Sequence, residues 1–377
     1  MNGTVLLQRA ASALLLASAT SALGVRAEPW AVGQEPAAQR QPATASDAQA
    51  LEQLRRESAE PDLRQRYLRS ANALLHRFWN SREQPTLLFA GDSAAGCGVK
   101  RVVHPMAFYC PESRQIAMAM DLRRSVRAAR GKSERELLLL DLAVLAHEVG
   151  HHVNREQGRG PYSGGLAFTA KPEELAADWR TGIFLGWLLA QQVITVDDFT
   201  QTANLLFELG DYERIAAQHH GYPKDRFAAL TRGLASQVQP GQRLAGGWSA
   251  DSSETFSRPL ALDEGDQPLG RRRYEVRRFE IDRNQQIATN LVGGLLGAAS
   301  CLWGSQEQCL GMVGQQGKGR ALGRYTQRML ELDCNRGSFD VSDDEFERQP
   351  LQRDGKGQAV VLAARDCAPA ARPLSLW

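Results

Sequence analysis

The feature that most constrains this chain is a leucine-rich stretch with a clear helix start signal. Ser133 followed three residues later by Glu136 is a capping-box pattern, in which each side chain satisfies a backbone N–H of the first turn. The apolar run that begins at Leu137 is dense enough for a deeply buried helix. We expect this helix to end near Gly158.

Inside this predicted helix, residues 146–152 read Ala-His-Glu-Val-Gly-His-His and contain the pattern HExxH. Residues four apart lie on one face of a helix, so the imidazoles of His147 and His151 can converge on one zinc ion. Glu148 can then serve as the general base that accepts a proton from water and passes it to a leaving amine. A chance match has a frequency of roughly one in a hundred in such a chain, and burying these polar groups without a metal would be costly. We expect His152 to point away from the metal.

A catalytic zinc ion usually takes three protein ligands and leaves one position for water, so a third ligand is needed. The extended HExxHxxGxxH form is absent, but residues 172–178 read Pro-Glu-Glu-Leu-Ala-Ala-Asp and predict the start of a second helix. Glu174 and Asp178 share a face of that helix, so one can bind zinc while the other orients a ligand histidine. The alternative is an ordinary acidic first turn that interacts with the helix dipole, which fits Glu173. We favour Glu174 as the zinc ligand.

These segments together resemble a family of bacterial neutral zinc metallopeptidases. The resemblance rests on residues 147–153, on Glu-Leu-Ala-Ala-Asp at 174–178, on Phe-Tyr-Cys-Pro at 108–111 and on the glycine-flanked Cys97. It covers residues 86–235 and matches nothing in the last hundred residues of the chain.

The resemblance implies a gluzincin-like fold, Glu174 as the third zinc ligand and Asp178 as the partner of a ligand histidine. It extends weakly to residues 220–226, which resemble a later segment of the family. Two positions depart from the family pattern, since Ala119 stands where an aspartate is usual and Trp179 stands where a cysteine is usual. Neither departure affects the expected zinc ligands.

The N-terminus predicts export. Arg9 precedes an apolar run from Ala10 to Val25, and small residues form a cleavage site that ends at Ala27. An uncleaved anchor is the alternative, but the run is short and rich in Ala and Ser. The formal net charge of +2 offers no broad basic surface for nucleic acid. We therefore expect a periplasmic or secreted protein with no nucleic-acid partner and no confident membrane span.

Composition divides the chain into five predicted segments, and the expected fold class is α+β. The catalytic part should be mainly helical and zincin-like with a small sheet, and the C-terminal part has no predictable fold. We expect Ile116 to Met120 to form an exposed edge strand to which an extended peptide can add. The segments are a signal peptide (1–27), a flexible leader (28–47), a zinc metallopeptidase domain (48–236), a linker (237–271) and a cysteine-containing accessory region (272–377).

An even number of cysteines without a CxxC motif favours a disulfide framework over a metal cluster. Cys97 and Cys110 flank a short loop and are predicted to form a bridge, with two buried thiols as the alternative. The sequence leaves three connectivities open for the remaining four, among which we favour Cys301 with Cys309. The other two are Cys334 and Cys367.

The predicted function is hydrolysis of peptide bonds in a protein or peptide substrate by a water molecule activated by one zinc ion. One alternative is a noncatalytic zinc-stabilised module for envelope binding or assembly, with a partner bound through residues 272–377. Glu148 argues against it, because a structural zinc site needs no base and usually closes its fourth position. Another is hydrolysis of a non-peptide amide in the cell envelope, which the sequence does not separate from proteolysis. The sequence singles out no oxyanion donor among four candidates, namely His104, Tyr109, His219 and His220.

Overall fold

The structure is a computed structural model of the chain. It describes residues 44–56, 63–122, 129–158, 172–208, 223–252, 254–260, 271–281, 323–334, 338–343, 345–350, 362 and 366–367. The predicted signal peptide and most of the predicted leader lie outside these residues. So does the glycine-rich apolar stretch from Leu291 to Trp303.

The described residues contain six helices, and their starts follow the local signals in the sequence. Ser133 caps the third helix, accepting a hydrogen bond from the backbone of Glu136 and donating its own N–H to the Glu136 carboxylate. The predicted capping box is therefore confirmed. The helices are α1 (Ala45–Arg56), α2 (Leu63–Trp79), α3 (Glu134–Glu156), α4 (Pro172–Ala190), α5 (Val196–Glu208) and α6 (Pro223–Ala235).

A three-stranded sheet precedes α3 and packs against it. It consists of β1 (Thr86–Leu88), β2 (Ala107–Cys110) and β3 (Gln115–Met118). The order is β1-β3-β2, so β3 pairs with β1 in parallel and with β2 in antiparallel fashion. The expectation that residues 116–120 form an exposed edge strand is therefore wrong. The alternating pattern of this segment encodes a strand but not the two distant segments that pair with it.

A second sheet is a six-stranded antiparallel meander in chain order. Its strands β4 and β5 fall inside residues 237–271, which the sequence analysis assigned to a linker, so that assignment is wrong for residues 249–260. The reason is packing, because Trp248 and Phe256 are buried among the polar residues that suggested a linker. The strands are β4 (Ser249–Ser252), β5 (Thr255–Leu260), β6 (Arg271–Ile281), β7 (Gly323–Asp333), β8 (Ser338–Asp343) and β9 (Glu345–Pro350).

Helix α3 forms the centre of the core and is buried along most of its length. It contacts α2, α4 and α5 as well as β2 and β3. The second sheet joins the same core, since the ring of Phe199 on α5 packs edge-on against Phe256 of β5 and Tyr325 of β7. All described residues accordingly belong to one compact unit, Gln41–Trp377, and the mixed architecture agrees with the predicted α+β class.

Two disulfide bridges lie among the described residues. Cys97 and Cys110 are bridged with a Cα–Cα distance of 5.8 Å, which confirms the predicted pair. Cys334 and Cys367 are bridged with a Cα–Cα distance of 5.5 Å. The favoured pair of Cys301 with Cys309 lies outside the described residues.

None of the described helices combines the length and the apolar character that crossing a bilayer requires.

Candidate metal centre

Helices α3 and α4 bring together the three side chains that the sequence predicted as zinc ligands. The Nε2 atoms of His147 and His151 are 3.1 Å apart. Glu174 on α4 approaches both, with Oε2 at 3.2 Å from His147 Nε2 and Oε1 at 3.7 Å from His151 Nε2. The donor atoms of the three residues lie within 4.8 Å of one another.

These separations fit a tetrahedral zinc ion. Ligand atoms bonded at zinc distances to nitrogen and oxygen are about 3.3 Å apart around a tetrahedral ion. Two imidazoles and one carboxylate are also the donor set of a catalytic zinc site with one open position. His147 is buried, whereas His151 and Glu174 are partly exposed, so an ion held by the three would remain accessible to solvent on one side.

A second cluster of metal-binding residue types contains Cys97, Cys110 and Glu112. The two cysteines are bridged to each other, so their sulfurs are not available as thiolate ligands. Among the described residues, only the histidine cluster combines metal-ligating atoms with the HExxH pattern.

The Glu148 side chain is buried on α3, and in sequence it lies between the two histidines. Its negative charge interacts with the positive charge of Arg226 on α6, which also interacts with Glu174 and Asp178. The carboxylates predicted to act at the site therefore share one buried cation.

The carboxylate of Asp178 lies behind His147. Its Oδ1 atom is 2.9 Å from His147 Nδ1, the ring nitrogen on the opposite side from Glu174. The structure therefore brings Asp178 to the position that a residue orienting a ligand histidine would occupy. Asp178 also accepts two hydrogen bonds from Arg226, from Nε to Oδ2 at 2.7 Å and from a terminal nitrogen to Oδ1 at 2.8 Å.

The electrostatics of the cluster favour a positive charge at the imidazole pair. Burial disfavours a charged imidazole, but the carboxylates of Asp178 and Glu174 raise the pKa of His147 to about 10. Burial and the neighbouring His147 lower the pKa of His151 to about 4. Burial alone would raise the pKa of Asp178, yet Arg226 and His147 lower it. These shifts favour the charged form of His147 over that of His151, because His147 lies close to both carboxylates.

A glycine in the HExxH segment lets the two helices approach closely. Gly150 faces Ala177 of α4, and a Cβ atom added at Gly150 would lie 3.0 Å from Cα of Ala177. Ala177 lies between Glu174 and Asp178 in sequence, so this contact brings both carboxylates towards α3. Side-chain spacing on α3 alone did not predict that role for the glycine.

His152 faces away from the metal cluster, as predicted. Its Nε2 atom lies 2.8 Å from the carbonyl oxygen of Glu83 and therefore carries the proton. Its Nδ1 atom consequently accepts a hydrogen bond from the hydroxyl of Tyr109 at 3.1 Å. The pair joins α3 to β2, which gives Tyr109 a structural partner.

A groove of about 540 Å³ lies on this side of α3. Its lining includes Tyr109 of β2 together with His152, Arg155 and Glu156 of α3, but none of the three expected zinc ligands. The groove therefore does not contain the cluster. His219 and His220, two of the other candidate oxyanion donors, lie outside the described residues.

Sequence reasoning missed the part played by Arg226. The resemblance included its segment only weakly, and an arginine in the first turn of a short helix gives no local signal of a buried partner 48 residues away. A paired arginine could have been suspected from Asp178 alone, since a buried carboxylate needs more than one hydrogen-bond donor.

Comparison with protein-family models, with curated proteins and with solved structures yielded no match.

Proposed function

We propose that this chain is a zinc-dependent metallopeptidase that hydrolyses peptide bonds, with a zincin-like arrangement of α3, α4 and the first sheet. The observation that carries the proposal is the convergence of His147, His151 and Glu174 at separations suited to one zinc ion. Glu148, the residue that the HExxH pattern assigns as base, lies on the same helix.

The proposed roles follow from the chemistry of each group. Zinc bound by the three ligands would polarise the scissile carbonyl and lower the pKa of a water molecule. Glu148 accepts the proton of the attacking water and delivers it to the amine as the carbon–nitrogen bond breaks. The products are one carboxylic acid and one amine, so atoms and charges balance without another co-reactant.

The substrate would bind as an extended strand at the open edge of β2. Among the described strands of the first sheet, β3 is paired on both sides and leaves β1 and β2 as edges. Of these, β2 contacts α3, and an extended peptide can add to such an edge through main-chain hydrogen bonds. This edge takes the role that the sequence analysis gave to residues 116–120.

We also propose export to the periplasm or the medium. The two bridges among the described residues support it, because disulfides persist in oxidising compartments. The signal-peptide pattern before Glu28 points to the same compartment.

The test of the function is metal analysis of the purified protein followed by cleavage mapping on a complex peptide mixture. One zinc per chain and new peptide termini that depend on the metal are the expected results. New termini without bound metal, or bound zinc without any cleavage, would contradict the proposed function. Release of products only from amides that are not peptide bonds would favour the non-peptide alternative.

A further inference from the structure

We propose that Arg226 is a positioning residue for the metal centre, fixing the Asp178 carboxylate so that His147 presents its Nε2 atom to the ion. The inference rests on the metal centre of the proposed function and adds to it a residue on a third helix. Arg226 acts through Asp178 and is not itself a ligand.

Arg226 donates to both oxygens of Asp178, and one of these oxygens also faces His147. Arg226 Nε binds Oδ2 at 2.7 Å, and a terminal nitrogen of Arg226 binds Oδ1 at 2.8 Å. The same Oδ1 atom lies 2.9 Å from Nδ1 of His147. Because the guanidinium donates two parallel bonds from a rigid plane, it fixes the rotation of the carboxylate as well as its position.

Without these two parallel hydrogen bonds, the Asp178 carboxylate could rotate about its Cβ–Cγ bond and still keep one hydrogen-bond donor. His147 would then lose the carboxylate oxygen that lies 2.9 Å from its Nδ1 atom, and its ring could rotate away from His151 and Glu174. A metal-binding histidine depends on such an acceptor for both its tautomer and its ring orientation. Arg226 therefore affects the expected ligand His147 through Asp178.

Backbone packing between α4 and α6 fixes the relative positions of Asp178 and Arg226. A Cβ atom added at Gly182 would lie 1.9 Å from the carbonyl oxygen of Leu230, so the helices touch at this point. Asp178 lies one turn before Gly182, and Arg226 lies one turn before Leu230. The side chains of Asp178 and Arg226 thus face each other from adjacent turns beside a fixed contact.

Solvent has little access to the ion pair. Asp178 and Arg226 are 4% and 6% exposed. A cavity of about 10 Å³ next to them is lined by Phe227 and Leu230 among others, and it is too small for more than about one water molecule. Water therefore has little room to compete with the guanidinium as donor to Asp178.

The competing explanation is that Arg226 and Asp178 form a purely structural salt bridge between α4 and α6. Measuring zinc affinity distinguishes this explanation from a positioning role. Arg64 provides a matched control, because it makes the same bidentate pair with Asp141 of α3 at 2.6 and 2.8 Å. Asp141 lies on the helix that carries both histidines, whereas Arg64 lies on α2. Arg64 is more exposed than Arg226, but its partner Asp141 is as buried as Asp178, so Arg64→Gln shows what the loss of a bidentate arginine does away from the expected ligands.

The experiment measures the dissociation constant for zinc by chelator competition for the wild type, Arg226→Gln, Asp178→Asn, the double variant and Arg64→Gln. We expect Arg226→Gln to weaken zinc binding by about 10- to 100-fold, and Arg64→Gln to leave it unchanged while lowering the melting temperature. In the Asp178→Asn background, Arg226→Gln should add less than about threefold, because a shared path makes the two effects non-additive. Arg226→Lys keeps the positive charge but cannot donate two parallel hydrogen bonds, so it should weaken zinc binding several-fold.

Wild-type zinc affinity in Arg226→Gln, or a loss equal to that of Arg64→Gln, would overturn the inference. If Arg226→Gln does not fold, Arg226→Lys decides, and wild-type affinity in that variant would overturn the inference. A wild-type chain that binds no zinc would overturn both the inference and the proposed function. Zinc binding that depends on Arg226 without any peptide cleavage would overturn the function alone.

Discussion

Gly150 of α3 lies directly against Ala177 of α4, where an added Cβ atom would be 3.0 Å from Cα and 3.1 Å from the carbonyl oxygen of Ala177. The contact is backbone to backbone, so it cannot be relieved by turning a side chain. It sets the distance between the helix that carries both histidines and the helix that carries Glu174 and Asp178. The glycine is therefore a geometric requirement of the proposed metal centre.

Replacing Gly150 with valine should push α4 away from α3. We expect a loss of about 1–3 kcal/mol in the free energy of unfolding from overpacking, together with zinc binding weakened by about tenfold or more. Chemical denaturation and chelator competition measure the two effects. Gly186→Val is the matched control, because its added Cβ would meet Leu234 and Gln237 at 3.1 Å between α4 and α6. Zinc binding that changes equally in both variants would contradict the role given to Gly150 in setting the distance between α3 and α4.

Glu174→Ala should lower zinc occupancy to a small fraction, because two histidines alone leave the ion with too few protein ligands. The matched control is Glu173→Ala, one residue earlier in the first turn of α4. We expect this control to keep one zinc per chain. Metal content after dialysis against a weak chelator measures both. Loss of zinc from Glu173→Ala with retention in Glu174→Ala would show that the ligand is assigned one residue too late.

The four C-terminal cysteines should give linked peptides that join Cys334 to Cys367 and Cys301 to Cys309. The first bridge is described directly, and the second is the only pairing that it leaves among these four residues. Peptide mapping without reduction tests both pairs together with Cys97 and Cys110. Linked fragments that join Cys301 or Cys309 to Cys334 would contradict the connectivity.

Local signals in the sequence were enough to predict most of the helices and the placement of His147 and His151 on one helix. Ser133 and Pro172 mark helix starts through interactions within their own first turns, and the spacing of His147 and His151 is a property of one helix. Such features depend on residues close in sequence. For this reason the sequence could reveal them.

What the sequence did not reveal depends on distant contacts. The pairing of β3 on both sides involves β1 and β2, and β5 pairs with residues of β6 such as Arg273 and Tyr274. Arg226 meets Asp178 only because α4 and α6 pack together. No period or motif encodes these partners, so they emerge only from the folded chain.

The mature protein should begin at Glu28. This expectation follows from the short apolar run and the small residues that precede the cleavage site. N-terminal sequencing of protein recovered from a bacterial periplasm after expression of the full chain measures it. A chain that retains Met1 in the cytoplasm would contradict both the export proposal and its support from the disulfides.

The most direct test of the account compares the wild type with Glu148→Gln by zinc analysis and cleavage mapping on the same preparations. The amide has nearly the same shape as the carboxylate but can neither accept the proton of water nor return it. We expect one zinc per chain in both proteins and a loss of hydrolysis of at least about a hundredfold in the variant. Undiminished cleavage by a zinc-loaded Glu148→Gln protein would contradict the central claim that Glu148 is the base of a zinc peptidase.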